Sequence, residues 1–359
     1  MRIIEEEQLD FSDVLIQPKC SKILSRSQVN LEREFKWYDE GNVKHIISCI
    51  PVGCSNMGTV GTIKMAELMV KNNHFSCLEK HISFENVGNL FERLSEHERD
   101  LVVPSIGIKE DPEGLFQLYD RWNVKMIMID VPNGYIPSLT ERIKKIRSHC
   151  KSSFIIAGNV VDAAGAAQII DAGANAVKVG IGNGAVCVTR LKTGVGRPQL
   201  STIIEVADIC HQKHAYVMAD GGVASPGDVC KAFGAGADFV ISGSLFAGCE
   251  ESESETVVLD GKKYKQYYGM SSHLAQEKHF GGVRKYSASE GREKLVPYTG
   301  SLESVLQDID GGLRSCCTYI GCDKMKNFSR HTTFYKVHNQ LNMLYANCPD
   351  IKHKKEKQE

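Results

Sequence analysis

Ala172-Gly-Ala-Asn-Ala-Val-Lys-Val-Gly180 and Ala235-Gly-Ala-Asp-Phe-Val-Ile-Ser-Gly243 are two versions of one phrase, and their likeness sets the fold. Each closes a longer unit. The first unit begins at Phe154-Ile-Ile-Ala157 and the second at Tyr216-Val-Met-Ala219, and each passes through a polar turn and a helical stretch before reaching its phrase. Both read as strand–helix–strand, offset by about two β/α modules. Working outward, short and almost wholly apolar runs recur at 46–52, 75–79, 101–104, 125–130, 153–157, 176–179, 215–219 and 238–242. Helical patterns lie between them, at 63–70, 136–146, 163–172, 200–211 and 227–233. Strands that are apolar on both faces and alternate with helices imply a parallel sheet covered by helices. Eight of them, with the repeat, fit an α/β fold of (β/α)8 TIM-barrel type better than a doubly wound sheet. The segment 249–299 breaks the alternation. Within it Val257–Leu259, Asp260-Gly261 and Tyr264–Tyr268 read as a hairpin, so the segment is expected to be an insertion after the eighth strand that forms a lid. The expected organisation is one catalytic barrel over 1–345 and a flexible tail over 346–359.

Composition narrows the function. The chain has 359 residues, 42% hydrophobic and 24% charged, with a net charge of −1. That balance creates no field that would gather nucleic acid or an anionic membrane. No run of about 18 apolar residues is present, and no signal segment follows Met1. Thirteen cysteines occur without metal-site spacing, which suits reduced thiols and a cytoplasmic location.

In a barrel of this type the chemistry sits at the C-terminal ends of the strands. The sixth strand runs into Lys178-Val-Gly-Ile-Gly-Asn-Gly-Ala-Val-Cys187-Val-Thr189-Arg190. Alternating glycines bring bare backbone close to a small ligand, and Cys187 is placed beside it as a nucleophile. Thr189 is near enough to act as a hydroxyl relay. Gly180, Gly182 and Gly184 serve either a steric purpose or offer carbonyls to a monovalent cation. Asp220-Gly221-Gly222 after the seventh strand and Gly243-Ser244 after the eighth have the character of a phosphate site, although an Asp-Gly-Gly sequence also suits a plain tight turn. Glu290 in the lid is either a general acid/base or a solvated surface carboxylate. The glycines do not follow the dinucleotide fingerprint of a Rossmann unit, so any dinucleotide must lie across the barrel mouth.

The loop motif, with Lys192-Thr-Gly-Val-Gly196, Pro198-Gln-Leu200, Ala157-Gly-Asn-Val-Val161, Tyr268-Gly-Met-Ser-Ser272, Ala288-Ser-Glu-Gly291 and Gly311-Gly-Leu-Arg-Ser315, resembles the IMP dehydrogenase/GMP reductase family, and within it the reductase branch. The likeness runs from Leu9 to Tyr319. The tandem regulatory domain and Arg-Tyr flap of the dehydrogenases have no counterpart here. The resemblance implies reductive deamination of GMP to IMP and ammonia with NADPH, through a covalent bond from Cys187 to purine C2, with Thr189 and Glu290 assisting loss of ammonia. It implies nucleotide contacts at Asp220, Gly221, Gly222, Gly243, Ser244, Gly269, Met270, Ser271, Ser287, Ala288, Ser289 and Gly291. It implies cofactor contacts at Ser25, Arg26, Lys80, Asp130, Val131, Pro132, Gly180, Ile181, Tyr286, Ser287, Ser315, Cys316, Cys317 and Thr318, with Arg26 reaching a neighbouring subunit. Gly182, Gly184, Cys187 and Arg190 match the positions of a potassium site, and a homotetramer is expected. Five positions depart from the family pattern: Gly58 stands for aspartate, Asn183 for proline, Ala185 for serine, Val188 for threonine and Ser287 for arginine. They leave two other readings open, an IMP dehydrogenase-like oxidoreductase and a purine-nucleotide-binding regulator without turnover.

Overall fold

The computed structural model describes residues 1, 3–282 and 288–338. Eight parallel strands pair in sequence order and close on themselves. They are β1 (Lys44–Cys54), β2 (His74–Cys77), β3 (Val102–Val103 with Ser105–Ile106), β4 (Met126–Asp130), β5 (Phe154–Val160), β6 (Ala176–Val179), β7 (Tyr216–Asp220) and β8 (Phe239–Ser242). Neighbours pair all the way from β1 to β8, and β8 returns to β1 through Val240 opposite Val52. All eight expected strands are present. The third is split because Pro104 has no N–H to give the ladder. Its two halves serve different neighbours: Ser76 lies opposite Val102, whereas Ser105 lies opposite Met128.

A helix follows each strand: α1 (Ile63–Lys71), α2 (Phe84–Phe91), α3 (Glu113–Trp122), α4 (Pro137–His149), α5 (Ala163–Asp171), α6 (Gln199–Gln212), α7 (Pro226–Gly234) and α8 (Leu302–Ile320). Their starts are written locally. Thr62, Ser83, Asp162, Ser225 and Ser301 each accept a first-turn backbone N–H, which satisfies donors the helix itself leaves open. The longest, α8, buries Leu302, Leu306, Ile309, Leu313, Cys317 and Ile320. Steps of three and four residues put these on one face, which packs on α7.

The insertion lies between β8 and α8. It holds the expected hairpin, β9 (Thr256–Leu259) and β10 (Lys262–Tyr268), and a third strand, β11 (Glu293–Pro297), that the local pattern does not signal. Asp260 and Gly261 turn the hairpin with φ of 49° and 74°, the left-handed pair that matches strand twist. Among the described residues no helix is long and apolar enough to cross a membrane. All twelve described cysteines are free thiols.

The N-terminal end of the barrel is sealed by rings. An extra strand, Arg33–Tyr38, pairs antiparallel with β1 and brings Phe35 onto Phe239, stacked with centroids 3.9 Å apart. Phe75 and Phe154 meet Phe239 edge-on, and all four rings are fully buried. Beside this plug, buried Asp238 binds Arg33 Nη2 at 2.5 Å and His211 Nε2 at 2.9 Å. Burial alone would raise the Asp238 carboxyl, but His211 and Arg33 hold it below the ordinary range. The hydrogen bond to Asp238 raises His211.

Two predictions follow from this end of the barrel. Phe239→Ala should cost about 3–5 kcal/mol, read by denaturant unfolding. The depressed Asp238 carboxyl stabilises the fold above its unfolded value near ~4, and the raised His211 does so below its unfolded value near ~6.5. Stability contributed by His211 should therefore fall as pH rises through its elevated pKa, and His211→Gln should flatten that alkaline decline in melting temperature.

Candidate active site

At the opposite end the strand termini surround a cavity of about 360 Å³. Its floor is electrostatic. Lys178, the one charge in the apolar strand β6, is 3% exposed. Its ammonium lies 2.7 Å from Asp130 Oδ1 at the end of β4 and 2.6 Å from Asp220 Oδ2 at the end of β7. Asn159 of β5 donates to the same Asp220 oxygen at 2.9 Å and to the Gly180 carbonyl at 2.8 Å. Burial disfavours the ammonium, but the two carboxylates outweigh it and raise the Lys178 pKa above the ordinary value. Burial likewise works against the Asp130 carboxylate, and Lys178 more than offsets it, so that carboxyl is held low. Gln199, fully buried at the start of α6, donates to the Val179 and Asp220 carbonyls and so braces β6 against β7.

The glycine loop after β6 forms one wall. Cys187 Sγ donates to Thr189 Oγ1 at 3.2 Å, and Thr189 Oγ1 donates to Glu290 Oε2 at 2.7 Å. Thiol, hydroxyl and carboxylate thus form a continuous proton path. Glu290 is distant in sequence, and strand pairing brings it here. Tyr268 of β10 lies opposite Glu293 of β11, so the residues just after β10 and just before β11 emerge together at the cavity. Val188 N–H then donates to the Glu290 carbonyl at 2.8 Å and Arg292 N–H to the Val186 carbonyl at 2.9 Å. Gly291 is needed for this approach, because a Cβ there would stand 2.5 Å from the Ser272 nitrogen.

Of the sequence-derived candidates, Cys187, Thr189, Glu290, Asp220, Gly221, Gly269, Met270, Ser271, Gly291, Lys80, Asp130, Val131, Pro132, Gly180, Ile181, Gly182 and Gly184 line the cavity. Gly222 lies behind it, near Phe11 and Gln199. Gly243 sits under Tyr267 and Met57. The Ser244 hydroxyl is given to the Val223 carbonyl at 2.6 Å, tying the β7 and β8 loops together. Ser289 braces the mouth by donating to the Ser271 and Gly291 carbonyls, and Ala288 is exposed. Arg190 does not line the cavity; it binds Asn183 and the Arg197 carbonyl. Tyr286 and Ser287 lie outside the described residues.

A second group gathers elsewhere. Ser25 and Arg26 are exposed on a short 3-10 turn that packs against α8. Ser315, Cys316 and Thr318 are half-buried on α8, and Cys317 is fully buried in its core-facing stripe. None of them lines the cavity.

Asn56, Met57 and Asn159 also line the cavity, and the wall uses residues to which the sequence gave no role: Lys178, Ser55, His81 and Tyr267. Lys178 carried a usable signal, a lone charge flanked by valines inside a buried strand. Gly58 and Asn183 have local accounts, and nothing in the described structure explains Ala185 or Val188. A Cβ at Gly58 would lie 3.2 Å from Glu79 Oε2 and 3.1 Å from the Tyr268 hydroxyl, so the Glu79 carboxylate fills the space beside it. Asn183 donates to Gln199 Oε1 at 2.5 Å, linking the loop to α6. The Ala185 carbonyl receives Arg292 Nη2 at 2.8 Å.

With this geometry in place, likeness to known proteins can be weighed. A family model for the IMP dehydrogenase/GMP reductase domain matches residues 8–342. The chain belongs to the IMP dehydrogenase/GMP reductase family. It is 44% identical to GMP reductase 2 of Mus musculus over 346 residues, covering 96% of this chain and 99% of that one. It is 42% identical to GMP reductase of Phytophthora infestans over 355 residues, 97% and 96% of the two chains. It is 44% identical to GMP reductase of Onchocerca volvulus, covering 96% and 95%. As expected for this family, the fold is a (β/α)8 barrel.

Removing the ammonium would strand two carboxylates in the floor. Lys178→Met should destabilise the protein by about 3–5 kcal/mol. Adding Asp130→Asn to that variant should recover part of the loss, measured by chemical denaturation.

Proposed function

We propose that the chain is a GMP reductase, converting GMP to IMP and ammonia at the expense of NADPH. The observation that carries this is the uninterrupted path Cys187–Thr189–Glu290 at the mouth of a family barrel. The thiol proton passes through the Thr189 hydroxyl to the Glu290 carboxylate as sulfur attacks purine C2. Glu290 returns a proton by the same hydroxyl to the departing 2-amino group, which leaves as ammonia. The second ligand, when bound, supplies a hydride to C2. Sulfur then leaves with the C–S bonding pair, giving IMP, and the released thiolate takes up one proton from solvent to restore the thiol. A covalent adduct divides one difficult substitution into easier steps. The full relay favours this reading over a regulator without turnover, and the reductase relatives favour it over a dehydrogenase.

The cavity suits two ligands side by side. Asp220, Gly221 and the 269–271 segment line it together with the relay and are assigned to the nucleotide; Lys80 and the 130–132 and 180–181 segments also line it and are assigned to NADPH. Lys80 brings a cation suited to its phosphates. The carbonyls of Gly182, Gly184, Cys187 and Arg190 are hard oxygen donors of the kind a potassium ion takes. Gly184 accepts Cys187 N–H and Arg190 accepts Gly194 N–H, leaving each a second lone pair. Ser25, Arg26 and the half-buried residues of α8 share a surface with exposed Leu24 and Tyr319, which suits delivery to a neighbouring copy's cofactor in a tetramer. A cytoplasmic setting accords with the free thiols.

Loss of NADPH absorbance with GMP, and IMP detected as product, tests the reading. Cys187→Ala should abolish turnover. Thr189→Val and Glu290→Gln should each lower kcat by about 10²–10⁴-fold while GMP still binds. Normal turnover by Cys187→Ala would remove the nucleophile, and conversion of IMP to XMP with NAD in preference to the reductive reaction would overturn the assignment.

A further inference from the structure

Beside the mouth, three side chains from two distant parts of the chain converge. Glu79 and His81 follow β2, and His279 comes from the helix His273–Phe280 of the insertion. Glu79 Oε1 lies 3.1 Å from His279 Nε2. The rings of His81 and His279 stack with centroids 3.9 Å apart and planes 15° apart. One ligand-type atom from each of the three residues falls within 4.8 Å of the others. Glu79 is only 6% exposed, and no hydrogen bond from the described residues reaches its Oε1. A carboxylate that far from water calls for a cation or an aligned donor.

Two imidazole nitrogens and one carboxylate oxygen are a donor set suited to zinc-like divalent ions, with bonds of about 2.0–2.2 Å. Bonds of that length in a tetrahedron put ligand atoms roughly 3.3–3.5 Å apart, close to the spacing the Glu79–His279 pair already has. Ligation by both rings would require His81 to turn out of its stack on His279, so that the two ring planes converge on one ion. We propose that Glu79, His81 and His279 form a binding site for a divalent transition-metal ion, which fastens the insertion helix to the loop after β2.

His279 is half-buried, whereas His81 is exposed. Lys80 and Lys278 act against positive charge here, so binding depends on all three ligands acting together. His81 also lines the cavity wall, so the ion would sit at the junction of lid and catalytic mouth. Its ligands are distinct from the Cys187 thiol.

Titration of the full-length protein with Co²⁺ tests this. One equivalent should bind with the visible bands of a nitrogen and oxygen ligand set and without a thiolate-to-cobalt band, and Zn²⁺ should displace it. His279→Ala and His81→Gln should each weaken binding at least about tenfold. Because they lie on opposite sides of the junction, folding trouble in one leaves the other informative. Cys187→Ser should leave stoichiometry and spectrum unchanged. Absence of Co²⁺ binding, a thiolate band that Cys187→Ser removes, or affinity insensitive to both histidine changes would overturn the proposal.

Discussion

The catalytic end of this barrel depends on one buried ammonium. Lys178 stands between Asp130 and Asp220, and through Asn159 the contact extends to a fourth strand end. Desolvating a lysine is costly unless opposite charges meet it at close range. Here two do, so β4, β6 and β7 are fixed relative to one another at their tips. The glycine loop springs from β6 two residues beyond that contact. A shift in the ammonium would move the loop and Cys187 with it. The trio also carries a net negative charge under the ligands, which puts the cation of Lys80 in a role of local balance.

The proposed relay draws on two structural layers. Cys187 and Thr189 belong to the barrel, while Glu290 belongs to the insertion and arrives only because β10 and β11 pair in a fixed register. The hydrogen-bonded chain therefore depends on how the insertion is paired: a one-residue slip between β10 and β11 would turn Glu290 away, since alternate residues face opposite sides. Gly291 and the backbone bonds at Val188 and Arg292 hold that register against the loop.

Much of this was legible in the sequence, and for physical reasons. The eight strands announced themselves because a parallel sheet buried on both faces demands unbroken apolar runs. The glycine–cysteine loop did so because close backbone approach restricts residue choice. What stayed hidden depends on pairing across distance. Strand β11 is short and exposed, with only Leu295 and Val296 as apolar markers. The Arg33–Tyr38 strand is specified by its partner β1. The meeting of Glu79 with His279 spans two hundred residues, and nothing local marks it. Gly222, Gly243 and Ser244 show the other limit: the motif located the right loops, but the structure sets their side of the chain against packing neighbours.

The aromatic plug at the far end has a consequence for traffic. Phe35, Phe75, Phe154 and Phe239 close the barrel's rear, so among the described residues passage through that end is blocked and the cavity opens at the other. If ammonia is released at Cys187, it must leave past whatever occupies the mouth, and the larger ligands must come and go by the same opening. Order of departure then becomes a property of the architecture, and the insertion that carries Glu290 stands at that opening.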